Sequence, residues 1–159
     1  MIVSDEAEAP TRRRPWWVGP SLAGILGGAI AGTFVSIGEF PPCAPPQARV
    51  EIVVERFMAR LGASEAAIRD CFTAGRPNEV ELARYAAARP PMDYRIEKIS
   101  EASDDRGRPW FAAVQVVASW RGDPPEGWSR DRYQWIVLRA SGPPTRWTIE
   151  ETRPPLPRS

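Results

Sequence analysis

The stretch "WFAAVQVVASW", residues 110–120, decides the fold class. It carries no charge, and its aromatic and β-branched side chains suit a pleated, half-buried surface. With a period of two, Trp110, Ala112, Val114, Val116, Ala118 and Trp120 share one face. Phe111, Ala113, Gln115, Val117 and Ser119 share the other, which is mostly uncharged as well. A strand apolar on both sides belongs at the centre of a sheet, or under cover on both faces.

Its neighbours in sequence are also strands. "MDYRIEKISEA" (92–102) alternates in its first half, with Tyr94 and Ile96 opposite Arg95 and Glu97, and "DDRGRP" (104–109) is a turn. After the loop "RGDPPEGWS" (121–129), "RDRYQWIVLRA" (130–140) sets Tyr133, Trp135 and Val137 against Gln134, Ile136 and Leu138. "SGPPT" (141–145) turns the chain, and "RWTIEET" (146–152) closes with Trp147 and Ile149 on one face.

Upstream the period is helical. In "RVEIVVERFMARLG" (49–62), Val50, Val53, Val54, Phe57, Met58 and Leu61 form an apolar stripe, and Gly62 is a stop. Ser64 caps a second, short helix that carries Ala67, Ile68, Cys71 and Phe72. Pro77 and Asn78 start a third, which Pro90 and Pro91 end. Helices followed by strands imply an α+β domain over 48–152, with about three helices packed on one face of a curved antiparallel sheet of about four strands.

On these residues the chain resembles the nuclear-transport-factor-2-like superfamily, also called SnoaL-like or cystatin-like cones. The resemblance spans residues 49–152. It is carried by "VVERFMARL" (53–61) as the long first helix, the pair "VQVVASW" (114–120) and "YQWIVLR" (133–139), and the closing "RWTIEE" (146–151). It implies a cone with a pocket between helix and sheet, and dimerisation through the outer sheet face. Membrane-anchored members share the expected layout, among them type IV secretion assembly factors and Mce-associated proteins.

From Trp16 to Gly38 there is no charged residue. At about 1.5 Å per residue such a run crosses a hydrocarbon core of about 30 Å. Arg12, Arg13 and Arg14 precede it, Trp16 and Trp17 mark an interface, and no Lys or Arg follows until Arg49. The positive-inside rule then predicts a cytoplasmic tail (1–15), a transmembrane helix (16–38), and everything after it outside. Gly24, Gly28, Gly32 and Ser36 step by four along one helix face, a stripe suited to packing against another helix. A cleaved signal is the rival reading, since "AIA" (29–31) fits a cleavage site. The apolar character of "GTFVSIG" (32–38) continues past that site and favours a retained anchor.

"EFPPCAPPQ" (39–47) reads as an extended, stiff, proline-rich spacer. If it faces an oxidising side, Cys43 and Cys71 are candidates for a disulfide; otherwise Cys71 is a small buried residue and Cys43 a free thiol. Residues 153–159 read as a disordered tail.

The net charge is +1, too small a bias for nucleic acid as a partner. Histidine is absent, so Ser–His and Cys–His catalysis cannot operate, and the commonest zinc ligand is missing. Lys98, the only lysine, lies beside Ser100 on a charged strand. The carboxylate pairs Asp104–Asp105 and Glu150–Glu151 read as solubilising charge. Asp93 and Asp131 begin strands, where an exposed cap is the ordinary role. We therefore expect no catalytic residues, no metal and no cofactor. Tyr94, Trp135 and Trp147 are the candidates for an aromatic ligand pocket, and Trp128, beside Pro124 and Pro125, for an exposed contact. The expected function is a single-pass membrane protein with a non-catalytic extracytoplasmic domain for protein interaction or assembly of an envelope complex. Its partners are the membrane and either another protein or a second copy of itself. The alternatives are a carrier or sensor of a small apolar ligand, and a secreted domain freed by signal cleavage.

Overall fold

The fold is described from a computed structural model and covers residues 40–155. The expected span at 16–38, with Gly24, Gly28, Gly32 and Ser36, lies outside the described residues. Among those described, no helix is long and apolar enough to cross a membrane.

The domain is α+β. Helices α1 (Val50–Arg60), α2 (Glu65–Arg69) and α3 (Glu79–Ala87) precede strands β1 (Asp93–Ser103), β2 (Pro109–Ser119), β3 (Gln134–Ser141) and β4 (Arg146–Arg153). The strands form one antiparallel meander in the order β1-β2-β3-β4.

Each helix forms where local chemistry allows. On α1, Val50, Val53, Val54, Phe57 and Met58 are buried. Gly62, just past it, has a φ of +82°, and a Cβ there would lie 2.4 Å from the Ala88 carbonyl oxygen. Only glycine accepts both that backbone conformation and the close approach of the end of α3. Ser64 caps α2 by accepting from the Ala67 N–H at 3.3 Å. Asn78 and Glu81 form a reciprocal capping box on α3: Asn78 Oδ1 accepts from the Glu81 N–H at 2.9 Å, and Glu81 Oε2 from the Asn78 N–H at 3.3 Å. Asn78→Ala removes the first bond and is expected to cost about 1 kcal/mol of stability. A urea melt checks this, and an unchanged midpoint would show the cap to be dispensable.

The inner sheet face makes the floor of the core. Across it run Ile96, Val116 and Gln134, then Ile99, Val114, Ile136 and Thr152, then Ala112, Leu138 and Ile149. Two register shifts in the β1–β2 pairing alter simple alternation. One, between Ile96 and Lys98, returns Ile99 to the inner face. The other skips Trp110, which shares sequence parity with Ala112 yet is 44% exposed, with the Arg139 guanidinium 5.3 Å from its ring. β2 is central, as its double-sided apolar character implies. Its outer face, however, is left half-buried among the described residues rather than covered.

The free edge of β4 is partly closed by residues 71–73. Phe72 bridges Ile149 in parallel, Ile149 N–H donates to the Cys71 carbonyl at 2.8 Å, and Thr73 N–H donates to the Ile149 carbonyl at 2.8 Å. Borrowing these bonds shields a strand edge that would otherwise offer unpaired backbone.

The proline-rich segment, read from sequence as a spacer, is packed into the domain from Pro41 onward. Cys43 and Ala44 are fully buried, and Cys43 is disulfide-bonded to Cys71, with Cα atoms 4.9 Å apart. Proline supplies no N–H, so the segment's carbonyls are its main polar handles, and the arginines of the domain take them. Arg60 donates to the Pro41 carbonyl, Arg56 to the Pro42 carbonyl, and Arg146 to the Ala44 carbonyl at 2.6 Å. Gln47 N–H adds a bond to the Thr145 carbonyl at 2.7 Å. Asp70 accepts from the Cys43 N–H at 2.7 Å and lies 3.9 Å from Arg60. Burial pulls the Arg60 pKa down, and the nearby Asp70 charge opposes that shift. At the other end, β4 runs on to Arg153 and Pro155 is buried, so the ordered domain reaches past the expected boundary at 152.

Candidate functional site

The space between helices and sheet is taken up by the domain's own rings. Phe57 meets Phe72 and Tyr85 edge-on, both at 5.4 Å between centroids, and Trp128 at 6.3 Å. Tyr85 stacks on Phe72 at 5.7 Å, and Trp128 contacts Trp120 edge-on at 5.9 Å. Trp128 is therefore not the exposed contact its proline-rich loop suggests. Trp128 N–H donates to the Pro125 carbonyl at 2.9 Å, a turn that brings the indole back over Tyr85.

Where this cluster reaches the surface, a cavity of about 290 Å³ opens between α3, the loop before β3, and the end of β4. Glu81, Arg84, Tyr85, Glu126, Trp128 and Gln134 line it, together with Thr152. The Thr152 hydroxyl joins its two aromatic walls: Tyr85 Oη lies 2.8 Å from Thr152 Oγ1, and Trp128 Nε1 donates to the same oxygen at 3.3 Å. Gln134 is only 4% exposed, and its Oε1 has no hydrogen-bond partner. Arg84 pairs with Glu126 at 3.5 Å across the rim.

Burial pushes the Tyr85 phenol up to about 12, the Thr152 hydrogen bond opposing. The neutral phenol is thus preferred in the fold, so its contribution to stability is complete below pH 10 and fades as pH rises through about 12. The loss is expected to be on the order of 3 kcal/mol. Tyr85→Phe, which has no phenol to ionise, is expected to flatten the loss of stability between pH 10 and 12. Denaturant midpoints at stepped pH test this; equal slopes in both proteins would refute it.

The second feature is the outer sheet face. There Phe111, Ala113, Val117 and Trp135 are half-buried around the buried Val137, and Trp110 stands exposed at the edge. Lys98, Arg139, Glu151 and Arg153 share this face by register, with Arg139 paired to Glu150 and Arg153 to Glu151.

Tyr94, Trp135 and Trp147 are not brought together into a pocket. Trp135 pairs with Gln115 and Arg153 on the outer face. Tyr94 pairs with Ala118 on the inner face near one end of the sheet, whereas Trp147 pairs with Ala140 towards the other. Parity separates the first from the others, and distance along the strands separates those two. Asp93 is exposed, and its Oδ1 accepts from the Tyr94 N–H at 2.8 Å; Asp131 is exposed in the loop before β3. Among the described residues, no group of His, Cys, Asp or Glu is arranged to hold a metal ion. The rim residues had one signal in the sequence: Gln134 shares the parity of Ile136 and Leu138, a lone amide on an apolar face. Thr152 had none, because the irregularity between Val137 and Leu138 in the β3–β4 pairing sets which face it joins. No family model, no curated protein and no solved structure matches this chain.

Proposed function

We propose that the chain is a single-pass membrane protein whose extracytoplasmic domain, a nuclear-transport-factor-2-like cone, is a non-catalytic interaction module. It would bind a protein partner or a second copy of itself and help an envelope complex assemble. The observation that carries this reading is the outer sheet face. Trp110 is exposed there and Phe111, Ala113, Val117 and Trp135 are half-buried, interrupted by Gln115 and bordered by the ion pairs Arg139–Glu150 and Arg153–Glu151. Aromatic residues and arginine are the types enriched at protein interfaces. The Cys43–Cys71 disulfide adds support, because such bonds persist on the oxidising side of a membrane. The charge-free run at 16–38 after three arginines supplies the anchor. The absence of histidine supports a non-catalytic role.

The test joins two measurements. Membrane fractionation with N-terminal sequencing is expected to place the uncleaved chain in the membrane pellet. A photo-cross-linker in place of Trp110 or Trp135 is expected to trap a protein partner or a homodimer, and one in place of the exposed Arg76 is not. A freely soluble, cleaved product would end the anchor reading. Equal trapping at all three positions would end the interface reading.

A further inference from the structure

Two buried polar atoms without a hydrogen bond belong to residues that line the same rim cavity. Gln134 Oε1 has no donor within bonding distance. Arg84 Nε is buried without a hydrogen-bond acceptor, although it faces Glu126 Oε2 at 3.5 Å. Buried polar groups in native proteins are nearly all satisfied, and exceptions ask for a reason. Both residues border the cavity of about 290 Å³, so together they describe what it lacks: a donor for Gln134 and an acceptor closer to Arg84 Nε than the Glu126 carboxylate at 3.5 Å.

The rim adds charge. Glu81 and Glu126 outnumber Arg84, leaving the opening acidic. Glu81 Oε2 caps its own helix and Glu126 Oε2 faces Arg84, yet each carboxylate keeps lone pairs for a further donor. Tyr85 and Trp128 contribute ring surface, while Thr152 is occupied in joining them. A guanidinium suits this combination: it is planar, always charged, rich in donors, and stable against aromatic rings.

We propose that the cavity receives an arginine side chain presented by a peptide segment of a protein partner. The guanidinium donates to Gln134 Oε1 and to the carboxylates of Glu81 and Glu126, and a main-chain carbonyl of the segment accepts from Arg84 Nε. This rests on the interaction-module reading and names the chemistry of the partner; it uses the rim rather than the outer sheet face.

The probe is acetyl-alanyl-arginyl-alanine amide, titrated into the ¹⁵N-labelled full chain in zwitterionic detergent. Saturable shifts are expected at the Trp128 indole N–H and the Gln134 carboxamide. The citrulline analogue, equal in shape but uncharged, is expected to bind about ten-fold more weakly, since the charge-assisted bonds are lost. Gln134→Leu and, separately, the exposed Glu126→Gln are each expected to weaken binding several-fold while leaving the rest of the spectrum in place. Free L-arginine, whose own carboxylate meets an acidic rim, is expected to bind more weakly than the peptide. The proposal is overturned by equal binding of the citrulline peptide, by undiminished binding in both variants, or by the absence of saturable shifts at the rim. Tighter binding of free arginine would overturn it too, by assigning the cavity to an amino acid. Cross-linking from Trp110 and Trp135 that persists after such a failure would leave the interaction module standing without this site.

Discussion

Phe57→Ala is expected to lower the unfolding free energy by about 3–5 kcal/mol, a large share of a small domain's total stability. Phe57 is fully buried at the centre of α1, and its ring is the hub that Phe72, Tyr85 and Trp128 all touch. Removing it leaves a void bounded by three rigid rings, which cannot collapse inward as flexible aliphatic chains do. The effect should spread to the rim, because Tyr85 and Trp128 are also the walls of the cavity. Urea unfolding followed by tryptophan fluorescence measures the loss, and Phe57→Leu should recover more than half of it. A loss below about 1.5 kcal/mol, within the range of tolerated volume-conserving swaps, would show that the rings are not packed as described.

Opening the Cys43–Cys71 bond ranks second. The two residues are 28 apart in sequence, and the chain-entropy model gives about 3.5 kcal/mol for a loop of that size. The double variant Cys43→Ala, Cys71→Ala is expected to lose that amount, and reduction of the native chain should bring it close to the same midpoint. A local consequence should accompany the global one. Cys43 N–H holds Asp70, Arg60 holds the Pro41 carbonyl, and Arg56 holds the Pro42 carbonyl, so the bond is one of several ties on this segment. Hydrogen exchange at the Cys43 and Gln47 amides should therefore speed up in the double variant by more than at Val114 on the central strand. Exchange that accelerates equally everywhere would mean the disulfide acts on the unfolded chain alone.

Much of the framework was legible beforehand. α1 could be read from Val50, Val53, Val54, Phe57, Met58 and Leu61, because a 3.6-residue period survives whatever the helix packs against. α3 could be read from Asn78 and Glu81, because a capping box is a local reaction between neighbours. The meander followed from β2 and from turn residues such as Gly107 and Gly142, both of which take positive φ. What escaped were features made by distant partners. The segment 39–47 looks like a free spacer by composition, yet Arg56, Arg60 and Arg146 capture its carbonyls at Pro41, Pro42 and Ala44. Trp128 looks like an exposed loop residue, yet the core takes it in. Trp135 looks like a companion of Tyr94 and Trp147, yet it stands on the opposite face of the sheet.

Periodicity, caps and turns depend on residues a few positions apart, so the primary structure alone determined the helices, the strands and their antiparallel order. Which face of the sheet each aromatic occupies, which prolines lie in the fold, and that Gln134 and Arg84 line one cavity depended on the tertiary structure. Register shifts at Glu97, at Trp110 and between Val137 and Leu138 each change which face a residue joins, and contacts such as Arg146 to Ala44 span most of the chain. Bonds of that range form only once the helices and the sheet have closed on one another, and no local pattern encodes them.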